Sequence, residues 1–86
     1  MDVVFLGYND MNFTSKDGNL IDGVKFYYYY PSQSRNFKGF EVGSVFVSRQ
    51  NTEKINQIIS IKPLSNCLLD MGYNGRRSIF NGIIAQ

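Results

Sequence analysis

The chain has 86 residues, 43% hydrophobic and 15% aromatic, the aromatics all Phe or Tyr, with nine basic and seven acidic side chains for a net charge of +2. That is one small domain, residues 1–86, with enough apolar content for a core, which excludes intrinsic disorder; its mild basicity does not by itself demand a nucleic-acid partner. There is no histidine and a single cysteine, Cys67, so no internal disulfide can form, the commonest general base and metal ligand is missing, and a cytoplasmic setting is expected.

No apolar run approaches the roughly 18 residues that a membrane span needs. Met1-Asp2-Val3 lacks the basic start of a secretory signal, so neither membrane insertion nor export is expected. Val3 to Phe13 reads as the first strand, apolar on both faces at Val3-Val4-Phe5-Leu6 and alternating afterwards. Gly7 inside it marks a bulge or bend, as a small barrel requires where one strand serves two sides. Ser15-Lys16-Asp17-Gly18-Asn19 is a hairpin turn, because glycine takes positive φ without strain. The second strand runs from about Leu20 to Tyr30, with Asp22-Gly23 expected to form a bulge within it.

The heart of this strand is Val24-Lys25-Phe26-Tyr27-Tyr28-Tyr29-Tyr30, stopped by Pro31: seven residues, five of them aromatic. Aromatic and β-branched side chains fit a pleated surface, and proline cannot continue a central ladder. Alternation puts Val24, Phe26, Tyr28 and Tyr30 on one face and Lys25, Tyr27 and Tyr29 on the other. The first set begins apolar and is assigned to the core. The second begins with a charge and is assigned to water.

A polar loop from Pro31 to Gly39 carries Arg35 and Lys38 and ends with Phe37 and Phe40. The third strand, Glu41 to Arg49, is expected to turn its Val45 side inward and leave Phe46 exposed. Asn51 or Thr52 caps a short helix, about Thr52 to Ser60, with Glu53 suited to the positive helix end and Ile55, Ile58 and Ile59 at helical spacing. Its isoleucines allow a strand as the competing reading; Pro63 bars continuation in either case. The fourth strand is Cys67 to Tyr73. Asn74-Gly75 signals a type I′ hairpin. The fifth strand, Arg77 to Ala85, is read with Ile79 and Ile83 on one face and Phe80 and Ile84 on the other.

Three strands, a helix and two strands point to a mainly β fold: a five-stranded OB-like Greek-key barrel with one short helix between strands three and four. A β-roll or an SH3-like barrel is the structural alternative. The run Asn12-Phe13-Thr14-Ser15-Lys16-Asp17-Gly18, then Ile21-Asp22-Gly23, the aromatic strand, Gly39-x-x-x-Gly43 with Phe46-Val47-Ser48, and Tyr73-Asn74-Gly75-Arg76 resembles the small proteins of Gram-positive mobile elements. These often accompany rolling-circle replication genes, and are similar in layout to the helix-destabilising single-stranded-DNA-binding proteins of filamentous phages. The resemblance implies an OB-like barrel, usually dimeric, that binds single strands. The chain departs from that pattern in a longer segment between strands three and four and in fewer basic residues.

In an OB barrel the ligand lies across strands two and three and between the first and last connecting loops. The expected single-stranded nucleic-acid site therefore comprises Tyr27, Tyr29, Tyr8 and Phe46 as stacking rings. Lys16, Lys25, Arg35, Lys38, Arg76 and Arg77 are its phosphate contacts. Base stacking on an aromatic ring is worth about 1–3 kcal/mol and tolerates any base, while cations track the backbone. The competing reading is that the tyrosine row packs the sheet or a homodimer interface, where tyrosine is enriched. Carbohydrate or another small ligand on the same face is a third possibility. No enzymatic activity is expected. Cys67 opens an apolar strand and has no histidine to activate it. The aspartates lack the spacing of a calcium loop, and no glycine loop ends in Gly-Lys-Ser/Thr.

Overall fold

The computed structural model describes residues 1–86. Five strands, β1 (Asp2–Thr14), β2 (Leu20–Pro31), β3 (Phe40–Ser48), β4 (Asn66–Tyr73) and β5 (Ser78–Ala85), and one helix, α1 (Thr52–Ile59), follow each other in the order β1, β2, β3, α1, β4, β5. All pairings are antiparallel, in one sheet ordered β3-β2-β1-β4-β5. The sheet is open: β3 and β5 are its two free edges. The segment Thr52–Ile59, helix or strand by its isoleucines, is a helix.

Helix α1 covers one face of the sheet, here called the inner face. Ile55 and Ile58 point into it, and Ile61 closes it just past the helix end. Ile59, at the same helical spacing, faces water instead. The core joins these isoleucines to Val3, Phe5, Val24, Phe26, Val47, Cys67, Leu69 and Ile83. Phe26 is at its centre, its ring 6.0 Å from Phe5 and 5.3 Å from Phe80. Lys54 fastens the helix to β5, its Nζ donating to the Phe80 carbonyl at 3.0 Å while lying over the Phe80 ring. Burial pushes the pKa of the Cys67 thiol up.

Two bulges shape the sheet. In β1, Phe5 pairs with Tyr28 and Gly7 with Tyr27, so Leu6 has no partner. Gly7, where the sequence suggested a bulge or bend, directly follows the unpaired residue and adopts φ +153. In β5, Asp70 pairs with Gly82 and Met71 with Phe80, leaving Asn81 unpaired. That second bulge corrects the assignment of faces in β5. Phe80 shares the inner face with Ile83, while Ile79 and Ile84 are exposed. An extra residue shifts every side chain beyond it by one, and strict alternation fails there.

No bulge occurs at Asp22-Gly23, contrary to the sequence expectation: Gly23 pairs in register with Met11 and Ser48. Glycine is required there for space, since a Cβ would collide with the Val47 carbonyl and come within 2.7 Å of Phe46 Cζ. Gly43 is alike on the inner face, where a Cβ would lie 2.5 Å from the Tyr28 ring. The β1–β2 turn closes with Ser15 N–H donating to the Asn19 carbonyl at 2.8 Å, and Gly18 at φ +84. In the β4–β5 turn only Gly75 has positive φ, whereas type I′ needs two such residues. The ladder ends at Tyr73 and Ser78, so the turn has four residues, and the Asn74 side-chain oxygen accepts within it from the backbone of Arg76 and Arg77, at 3.4 and 3.3 Å.

Candidate nucleic-acid interface

The face of the sheet away from α1, here the outer face, carries no helix. Directly opposed residues of an antiparallel pair share a face, so the register fixes its membership. Lys25 stands opposite Asn9 and Phe46, Tyr27 opposite Gly7 and Ser44, and Tyr29 opposite Val4 and Val42. The row of Lys25, Tyr27 and Tyr29 lies on this face, as alternation implied. Their neighbours Val24 and Phe26 are fully buried on the inner face. Phe46 joins the row and is 45% exposed.

The rings are held by local packing. Lys25 Nζ lies 5.5 Å from the centroid of Tyr27, a cation on a π-face. Tyr29 meets Phe40 edge-on at 5.2 Å between centroids. Phe40 stands opposite Pro31 at the end of the β2–β3 ladder, which puts it on the same face. Phe46 lies across the Cβ-less surface of Gly23. On β2 and β3 the outer face therefore presents four aromatic rings, one ammonium and no carboxylate.

The remaining expected residues divide. Tyr8 is not beside the row: it stands opposite Phe26, so its side chain is on the helix side of the sheet. The cause is the Leu6 bulge, which switches the alternation of β1 between Phe5 and Tyr8. Arg35 and Lys38 sit on the exposed β2–β3 loop, at the Tyr29–Phe40 end of the row. Arg76 and Arg77 are exposed in the β4–β5 turn. Because β4 runs antiparallel to β1 and pairs only with its first residues, that turn projects from the same end of the sheet, on the other side of β1. Lys16 is at the opposite end, in the β1–β2 turn, about 30 Å along the strands from Tyr29 at roughly 3.3 Å per residue.

Asp22, a carboxylate beside the β1–β2 hairpin, is engaged. Arg49 Nε donates to its Oδ1 at 3.0 Å, and the same guanidinium binds Asp10 and the Gly23 carbonyl. These contacts hold the Arg49 pKa above its usual value, the hydrogen bond to Asp10 most strongly and the one to Asp22 next. Arg49 thus ties the end of β3 to the β1–β2 hairpin and takes both carboxylates out of play. Its role had no local signal in the sequence, since its partners are 39 and 27 residues away.

Phe40 was legible as a loop aromatic but not as a site residue; only the Pro31 register shows its face. An open cavity of about 270 Å³ lies at its end of the row, lined by Val4, Tyr29, Pro31, Phe40, Asp2, Asn66 and Gln86 among others. No cluster of potential metal ligands is present. No helix is long and apolar enough to cross a membrane. Comparison of the chain with protein-family models, with curated proteins and with solved structures finds no match.

Proposed function

We propose that the outer face of β2 and β3 binds single-stranded nucleic acid, DNA in the first instance, with little sequence preference. Bases stack on Tyr27 and Tyr29, with Phe46 and Phe40 extending the platform. Lys25, Arg35 and Lys38 contact phosphates, with Arg76 and Arg77 across the same end of the sheet. The observation that carries this reading is the aromatic row itself, beside a cation, clear of carboxylates on its own two strands, and uncovered by the helix. Stacking on a π-face is sequence-tolerant, and cations follow the backbone. The strand order and the helix between β3 and β4 accord with an OB-like Greek key left open between β3 and β5, a fold that uses its second and third strands for ligands.

Fluorescence anisotropy of a labelled oligo-dT tests this directly. Binding at low salt that weakens as salt rises is expected, because neutralised phosphates release counterions. Absence of binding at tens of micromolar protein in low salt defeats the reading. An RNA oligomer of the same length separates the two nucleic acids.

A second reading has its own observation. Phe40, Val42, Leu68 and Ile84 leave the outer face largely apolar, with Val42 67% and Ile84 66% exposed, and β3 is a free edge. Large exposed apolar patches mark association surfaces. On this reading the face joins two copies of the chain. Sedimentation would then give a concentration-dependent mass that Tyr27→Ser with Tyr29→Ser abolishes, with no response to oligonucleotide.

A further inference from the structure

We propose that the cavity beside Tyr29 receives one guanine base of the bound strand, an inference that rests on the outer face being a single-strand site. The cavity, about 270 Å³, falls just below the range of roughly 300–1,000 Å³ that holds drug-sized ligands, which suits it to a single ring system. Its walls are apolar and aromatic: Val4, Tyr29, Pro31 and Phe40. Its polar groups are Asp2, Asn66 and Gln86. Tyr29 is at once the last ring of the row and a wall of the cavity. A strand stacked along Tyr27 and Tyr29, about 6.6 Å apart at two strand residues, delivers its next base there.

The polar groups select the base. Asp2 forms no salt bridge, and its one side-chain partner is Gln86, whose Nε2 donates to Oδ1 at 3.3 Å. An ionised carboxylate only accepts, and its two oxygens carry about four lone-pair sites. One donor from Gln86 leaves most of that capacity open to a ligand. Among the bases, guanine alone presents two adjacent donors, N1–H and the N2 amine, on its pairing edge. Thymine and uracil offer one donor between two acceptors; adenine and cytosine offer an amine beside an acceptor. The same carboxylate repels phosphate, so it is the base and not the backbone that turns into the cavity. Asn66, opposite Val4 on the outer face, has an amide to spare for the guanine O6 or N7 acceptors.

The test uses the intact chain and two kinds of probe. In anisotropy, an oligo-dT carrying one internal guanine is expected to bind at least about fivefold tighter than plain oligo-dT, the low end of discrimination by a bidentate base contact. Asp2→Asn turns one acceptor oxygen into a donor in the same shape; it should abolish that preference, while plain oligo-dT, relieved of one carboxylate, binds as tightly as before or somewhat tighter. In NMR, 2′-deoxyguanosine should shift the side-chain amides of Asn66 and Gln86 more than thymidine does. Equal affinity of both oligomers, with oligo-dT still bound, overturns the cavity and spares the platform. Preference that survives Asp2→Asn overturns the assignment to Asp2. A nucleoside titration in which 2′-deoxyguanosine and thymidine act alike overturns the cavity even if no oligomer binds, so the two failures read separately.

Discussion

The two faces of β2 differ in everything except their backbone. On the inner face, Val24 and Phe26 have no exposed surface and are packed under α1. On the outer face, one residue along, Lys25, Tyr27 and Tyr29 are half-buried and lie under nothing. On the proposed reading the strand divides stability and recognition between alternate residues. The comparison teaches that rings one residue apart sit in different surroundings: Phe26 is fixed by its neighbours on all sides, while Tyr27 has Lys25 over its ring and is only half-buried. Substitutions one position apart should therefore read out in different assays.

The largest effect is expected at Phe26. Phe26→Ala should lower stability by about 3–5 kcal/mol, as truncation of a buried Phe does, out of a total of roughly 5–15 kcal/mol for a domain of this kind. Urea denaturation measures it. Tyr27→Ser should cost about 1 kcal/mol or less in the same experiment, the scale of a cross-strand contact. If the two cost the same, the division between faces is wrong.

Tyr27→Ser and Tyr29→Ser should instead each weaken oligo-dT binding about 5- to 150-fold, from about 1–3 kcal/mol per stacked base. Phe26→Ala, assayed at a temperature where it remains folded, should leave affinity nearly unchanged. The glycines sharpen the contrast further. Gly43→Ala forces the Tyr28 ring aside on the inner face and should cost about 1–3 kcal/mol of stability with affinity kept, the range for overpacking. Gly23→Ala displaces Phe46 and crowds the Val47 carbonyl, so it should lower stability and affinity together.

A smaller effect is expected with pH. The Cys67 thiol and the Tyr28 phenol, both on the inner face, have raised pKa values in the folded chain; the cause is burial, with Tyr30 adding to it for Tyr28. A raised acid keeps its proton longer when folded. Its contribution is therefore complete below the unfolded pKa and is lost as pH rises toward the folded one. Stability should begin to fall above about pH 8.5 through the cysteine and again near 10 through the tyrosine. Thermal melts of wild type and Cys67→Ala across that range would show the first step vanish in the variant. The smallest effect belongs to Arg49→Met: the guanidinium is solvent-exposed, so the melting temperature should move little, and less still at high salt.

Much of this fold was legible from local chemistry. The aromatic run bounded by Pro31, the Lys16-Asp17-Gly18 turn, the bulge marked by Gly7 and the Ile55–Ile58 spacing of α1 each carry their own physical cause within a few residues. The row of Lys25, Tyr27 and Tyr29 needed only period two. What escaped depends on pairing. Tyr8 and Phe80 were put on the wrong faces because bulges at Leu6 and Asn81 reset the alternation, and a bulge is a property of two strands. Gly23 looked like a bulge because the ring that needs its space, Phe46, is in another strand. Arg49 finds Asp10 and Asp22 only once β1, β2 and β3 are paired, Phe40 takes its face from the β2–β3 register, and the cavity residues Asp2, Asn66 and Gln86 meet Tyr29 only once β1 lies between β2 and β4. A partly open barrel was expected from element order; the five strands form one sheet in which β3 and β5 share no ladder.

The unpaired Leu6 gives β1 an unusual tolerance. Every partnership from Gly7 to Thr14 is dictated by the hairpin that follows it, not by the count of residues back to Val3. A gene variant lacking this one codon would therefore absorb the loss by straightening the strand, with Phe5 still facing Tyr28 and Gly7 still facing Tyr27. Length variation that would scramble an ordinary ladder is expected to keep the register at this point, and a deletion there is the gentlest way to ask whether the kink itself matters to the proposed site.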